Sequence, residues 1–147
     1  MFDFFSWLIP SKLEIINTYQ ENDKLKNLAE SFVSDLDSLS LLLFIIALFI
    51  GEIGALFYYY ILNKYAGRMY KISKWAMAMI ATLLIAWGVA IIASFGIASS
   101  ELEISTSIIL RFTIPVLIWT FLFYFATSIV CCNFGKTNAY RFLAFRK

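Results

Sequence analysis

The sequence predicts an all-α integral membrane protein, with three transmembrane helices preceded by an amphipathic, interfacial helical region. Three observations carry this. Of 147 residues, 61% are hydrophobic and only 15% charged, and the mean hydropathy is +0.78. Three apolar runs reach the roughly 20 residues that a helix needs to cross a bilayer. The segments joining them are short and polar. A soluble domain usually carries roughly a quarter of its residues charged. One this small has too much surface per volume to hide so many apolar side chains from water. With 6 Gly and 2 Pro in the chain, a low-complexity or disordered composition is excluded.

Residues 1–38 precede the spans. Phe4 to Pro10 is apolar but short, without a basic start or a small-residue cleavage site. It reads as an interfacial anchor, with Phe4, Phe5 and Trp7 among lipid headgroups, rather than a cleaved leader. The sharper alternative is a hydrophobic plug that enters a neighbouring subunit. Leu25, Leu28, Phe32, Leu36 and Leu39 then recur at spacings of 3, 4, 4 and 3, which predicts an amphipathic helix. Asn22 or Asp23 can cap it. No Gly or Pro separates it from the first span, so the two should be nearly continuous. Its apolar stripe needs a cover: membrane, another subunit or a partner.

The three-helix transmembrane domain is 39–130, with spans at 39–62, 75–98 and 108–130. Backbone amides in hydrocarbon must bond within the segment, so runs of this length are helices. Pro115 should bend the third span. A basic and aromatic C-terminal tail, 131–147, completes the chain.

Charge predicts orientation. Residues 1–38 carry seven acids against three bases. The first loop has Lys64, Arg68, Lys71 and Lys74 with no acid, and the second has Glu101 and Glu103 with no base. The tail adds Lys136, Arg141, Arg146 and Lys147, so these two basic segments hold eight of the twelve Lys and Arg. Positive charge stays in the cytoplasm. The expectation is therefore a plasma membrane protein (inner membrane in a bacterium), N-terminus outside and C-terminus cytoplasmic. Tyr58, Tyr59, Tyr60, Tyr65, Tyr70 and Trp75 fit an aromatic belt at the cytoplasmic face.

Small residues recur every four positions along the second span: Ala78, Thr82, Ala86, Ala90, Ser94 and Ala98. Ala47, Gly51 and Ala55 form a shorter version in the first. Such stripes let helix backbones approach closely in lipid, either within one bundle or between subunits. Because three helices expose more perimeter than they share, a homo-oligomer is expected. Glu52 is the only acid inside a span, about 20 Å along the helix axis from Leu39. Intramembrane acids face a partner or a water-filled cavity. Glu52 is thus either a hydrogen-bonded packing group, with Tyr59 as a candidate donor, or a proton or cation site. Arg111 lies near the outer end of the third span, where it can snorkel towards Glu101 or Glu103. Cys131 and Cys132 are adjacent and have no third cysteine to pair with, so they read as small buried hydrophobes, with lipidation as the alternative. In the tail, Tyr140, Arg141, Phe142, Phe145, Arg146 and Lys147 suit an anionic lipid surface or a cytosolic protein partner.

The chain contains no His, which removes the commonest general base and metal ligand. No Ser-His-Asp set, phosphate-binding glycine loop or metal-ligand spacing is present. Neither an enzyme, a cofactor, a metal nor a nucleic-acid partner is expected. The expected function is a small multi-pass subunit that oligomerises and serves as anchor, scaffold or sensor in a larger membrane complex, such as a defence or secretion assembly. Its expected partners are the bilayer, copies of itself, and a protein reached through the N-terminal helix or the tail. The three spans, outside N-terminus and basic cytoplasmic tail resemble the layout of phage holins, which implies a pore or ion-conducting channel subunit as the alternative. In size and character the chain is also similar to bacteriocin immunity proteins.

Overall fold

The computed structural model describes residues 5–19, 22–62, 71–97 and 105–134. Among them all regular structure is helical. A 3-10 turn, Ser6–Leu8, leads to α1 (Lys12–Asn17), α2 (Asp23–Leu56) with a π-helical end (Phe57–Leu62), α3 (Ile72–Phe95), α4 (Ser105–Thr113) and α5 (Pro115–Phe134). Three stretches are long and apolar enough to cross a membrane: Asp23–Leu62, Ile72–Phe95 and Ser105–Phe134.

Each boundary has a local cause. Ser11 and Glu14 form a reciprocal capping box that starts α1: Glu14 N–H donates to Ser11 Oγ at 3.3 Å and Ser11 N–H to Glu14 Oε2 at 3.4 Å. This satisfies two donors that a helix start leaves open. Asn22 starts α2, accepting the Lys24 N–H on its Oδ1 at 3.0 Å. The amphipathic stretch and the first span are indeed one helix. Its 34 residues rise about 51 Å, well beyond a hydrocarbon core of about 30 Å. The second helix begins three residues before the expected 75, because the Lys71 carbonyl accepts the N–H groups of Lys74 and Trp75 at 2.9 and 3.3 Å. It ends at Phe95, before Gly96. The third span is broken rather than merely bent. Pro115 brings no N–H, and its ring clashes with the carbonyl four residues back, that of Arg111. The helix stops at Thr113, the Ile114 N–H bonds Arg111 O at 3.3 Å, and α5 restarts at Pro115.

The chain divides into two compact units, Met1–Ile45 with Trp87–Val116, and Ile46–Ala86 with Leu117–Lys147. In the first unit the stripe of α2 is covered by the chain itself from Phe32 onward, while Leu25 and Leu28 are half-buried. Phe32, Leu36 and Leu39 are buried, with Ala29, Val33 and Leu43 beside them. For that part of the stripe the expectation of a membrane, subunit or partner cover is corrected. The N-terminal segment packs on α4. Phe5 is fully buried, its ring 5.7 Å from that of Phe112 on α4, and the Ser6–Leu8 turn packs on α4. Phe5 is thus buried within its own chain rather than among headgroups or in a neighbouring subunit, while Trp7, 60% exposed, is open to the headgroup role; Phe4 lies outside the described residues. Ile15 of α1 is buried, and the Lys12 ammonium pairs with the Asp37 carboxylate of α2.

The second unit is organised around Ala55, Tyr58, Tyr59, Trp75, Tyr124, Cys131 and Cys132, all buried. Here α2, α3 and α5 approach closely. A Cβ added at Gly51 would lie 2.9 Å from both Thr120 O and Phe123 Cβ on α5, and one at Gly54 would lie 2.4 Å from Thr82 Cγ2 on α3. The two glycines therefore serve two different neighbours.

Candidate functional site

The densest polar chemistry lies in the second unit, where the end of α2 meets the start of α3 and the last turns of α5. The π turn turns the adjacent Tyr58 and Tyr59 both inward, rings edge to face at 5.0 Å. Tyr59 Oη lies 3.1 Å from Cys132 Sγ, and the Ser128 side chain is within hydrogen-bonding reach of the same hydroxyl. Trp75, in the first turn of α3, donates Nε1–H to Ser128 Oγ at 3.2 Å. Ser128 and Cys132 are one turn apart on α5, so one face of that helix receives a side chain from each of the other two. The arrangement joins three helices through polar bonds in an apolar core. It also explains why the aromatic belt is smaller than expected. Tyr58, Tyr59 and Trp75 are interior, while Tyr60 is 46% exposed; Tyr65 and Tyr70 lie outside the described residues. Cys131 and Cys132 are free thiols, each only 3% exposed, in keeping with a packing role.

One and two turns back from Ser128 along α5, Tyr124 and Thr120 are also fully buried, yet neither hydroxyl has a hydrogen-bond partner among the described residues. Tyr124 is held by its ring, 5.7 Å from that of Trp75.

The small-residue stripes lie inside the chain. Ala47, Gly51 and Ala55 are buried, as are Thr82, Ala86, Ala90 and Ser94; Ala78 is half-buried and Ala98 lies outside the described residues. Thr82 and Ser94 return their hydroxyls to the carbonyls of Ala78 and Ala90, at 2.8 and 2.6 Å, so neither reaches across to a neighbour. Gly54 is a packing residue that the four-residue spacing missed; its signal was a second glycine three positions after Gly51.

Glu52 is exposed. Its expected donor, Tyr59, is committed to Cys132 and Ser128 in the core, because the two residues point to different sides of α2. Arg111 is exposed on α4; Glu101, Glu103 and the tail residues Tyr140 to Lys147 lie outside the described residues. The chain matches no protein-family model, no curated protein and no solved structure.

Proposed function

We propose that this chain is a small, non-enzymatic, multi-pass membrane subunit that oligomerises and acts as anchor, scaffold or sensor in a larger membrane complex, such as a defence or secretion assembly. In this reading it resides in the plasma membrane with its N-terminus outside. Exposed Glu52 is the observation that carries it. Phe49, Ile53 and Leu56 around it are 55%, 60% and 43% exposed, so this face of α2 offers hydrocarbon a carboxyl group. An ionisable side chain near the centre of a span costs about 2.5–3.5 kcal/mol on insertion scales. A neighbouring helix that accepts or donates a hydrogen bond offsets that cost. Copies of one chain insert in one orientation, so Glu52 of each copy sits at the same depth. The Glu52 side chains of two copies can then meet across a symmetric interface.

Glu52→Gln keeps the shape and the hydrogen bonds; Glu52→Leu keeps neither. In mild detergent, wild type and Glu52→Gln should share one oligomeric mass, and Glu52→Leu should shift towards monomer. A monomeric wild type, or an unchanged Glu52→Leu oligomer, overturns the reading. The same residue supports a second reading, a holin-like pore with Glu52 lining the conduit. Ion flux into liposomes separates them. The scaffold expects none from either protein, whereas wild-type current that vanishes in Glu52→Gln with assembly intact favours the pore.

A further inference from the structure

The surface of the second unit carries a groove of about 370 Å³ between α2 and α3. Gly54 and Thr82 form its floor, where the missing side chain of Gly54 lets the helices approach. Ile53 and Phe57 wall it on one side, Ala81 and Ile85 on the other. Its one hydroxyl, on Thr82, is already bonded to the Ala78 carbonyl at 2.8 Å. The lining is therefore hydrocarbon in all that it offers a guest. At one end, beside Leu62 and Ala78, the chemistry changes. Lys74 precedes Ala78 by four residues and Lys71 by seven, spacings that put all three on one face of the helix line. Both lysines are exposed, and among the described residues neither pairs with a carboxylate. They stand at the N-terminal end of α3, where the helix dipole disfavours positive charge, so an incoming anion relieves them.

We infer that this groove binds an anionic phospholipid of the surrounding membrane, one acyl chain lying between α2 and α3 and the phosphate held by Lys71 and Lys74. The inference rests on the helices spanning a membrane, not on oligomerisation. A second transmembrane helix would offer the groove only side chains and no anion for Lys71 and Lys74, whereas a phospholipid brings both a hydrocarbon chain and a phosphate. The long lysine stems can lie along the apolar rim while their ammonium groups reach the headgroup.

The test uses the full-length protein in mild detergent, with phosphatidylglycerol or phosphatidylcholine added at equal concentration and bound lipid counted by native mass spectrometry. A lysine at a membrane surface favours an anionic lipid by about fivefold, two by about twenty-five-fold. Wild type should retain phosphatidylglycerol preferentially. The exposed double substitution Lys71→Gln/Lys74→Gln should abolish the preference, and Ala81→Phe, which fills the groove, should reduce retention of both lipids. Lys24→Gln/Lys26→Gln, which removes equal charge elsewhere, should keep the preference. Equal retention of the two lipids by wild type overturns the inference. So does equal loss of preference in the two lysine pairs, or undiminished retention by a folded Ala81→Phe. If Ala81→Phe does not fold, the two lysine pairs still decide.

Discussion

Tyr59 and Tyr124 are both buried tyrosines in one core, yet their hydroxyls have opposite fates, so phenylalanine at each position measures different things. Tyr59→Phe removes a bonded hydroxyl, and interhelical hydrogen bonds inside membrane proteins are worth about 0.6 kcal/mol on average and up to about 1.7. Tyr124→Phe removes a hydroxyl with no partner, so it should be neutral or stabilising, since the group's desolvation is no longer borne. Ser128→Ala should cost the most of the three, about 1–3 kcal/mol, because it strands the buried Trp75 N–H. Thermal unfolding in detergent orders the three; equal losses at Tyr59 and Tyr124 would mean that the Tyr124 hydroxyl is bonded after all. None of this was legible in the sequence. Tyr59 and Cys132 are 73 positions apart and Trp75 and Ser128 are 53 apart, and a hydropathy reading assigns aromatic residues at a span end to the interface. Glu52 and the two cysteines were legible because each is chemically exceptional where it stands, independent of what folds against it.

The helices themselves were mostly readable, since lipid leaves the backbone few options and their ends carry recognisable chemistry. Asn22 caps, Pro115 breaks, and the absence of Gly and Pro between residues 23 and 38 lets one helix run on into the span. The short α1 lay outside the expectation, although Ser11 and Glu14 spell its capping box. The π turn at Phe57–Leu62 had no local signal, because it depends on packing two tyrosines inward. Close approach was legible as a class of residue, small and periodic, but not as to which neighbour each serves. That distinction is testable with alanine. Gly51→Ala meets a backbone carbonyl at 2.9 Å and Gly54→Ala meets Thr82 at 2.4 Å, whereas a Cβ at Gly88 of α3 meets nothing within 4 Å. Overpacking costs about 1–3 kcal/mol. Gly51→Ala and Gly54→Ala should therefore lower the unfolding temperature. Gly51→Ala should lower it more, because a carbonyl on α5 yields only if the helix moves, while the Thr82 side chain can turn. Gly88→Ala should leave it unchanged or raise it, since alanine is the better helix former by about 0.8–1.0 kcal/mol. A loss at Gly88 equal to that at Gly51 would mean that α3 packs differently.

Span number follows from composition and length alone, and α2, α3 and the α4–α5 pair supply three helical stretches of the needed length. Direction across the membrane is proposed from charge. The lysines at the start of α3 are exposed and unpaired by acid among the described residues, so they act as free positive charge near a span end, the quantity to which the positive-inside rule responds. Glu30, Asp35 and Asp37 are all exposed in the N-terminal half of α2. On the proposed orientation the first span would run outside to inside, the second would return, and the third would end in the cytoplasm. Single cysteines test this directly. The native thiols must first be removed, with Cys131→Ala and Cys132→Ser, the serine keeping a hydrogen-bonding group for Tyr59. Into that background go Lys24→Cys, Lys71→Cys and Glu103→Cys, one at a time; Lys24 and Lys71 are exposed and open to reagent. A membrane-impermeant maleimide applied to intact cells should label positions 24 and 103 at once, and position 71 only after permeabilisation. Labelling of position 71 in intact cells, with 24 and 103 protected, would invert the topology. Labelling of 24 but not 103 would break the pattern of three crossings, because the two spans between them must return the second loop to the side of the N-terminus.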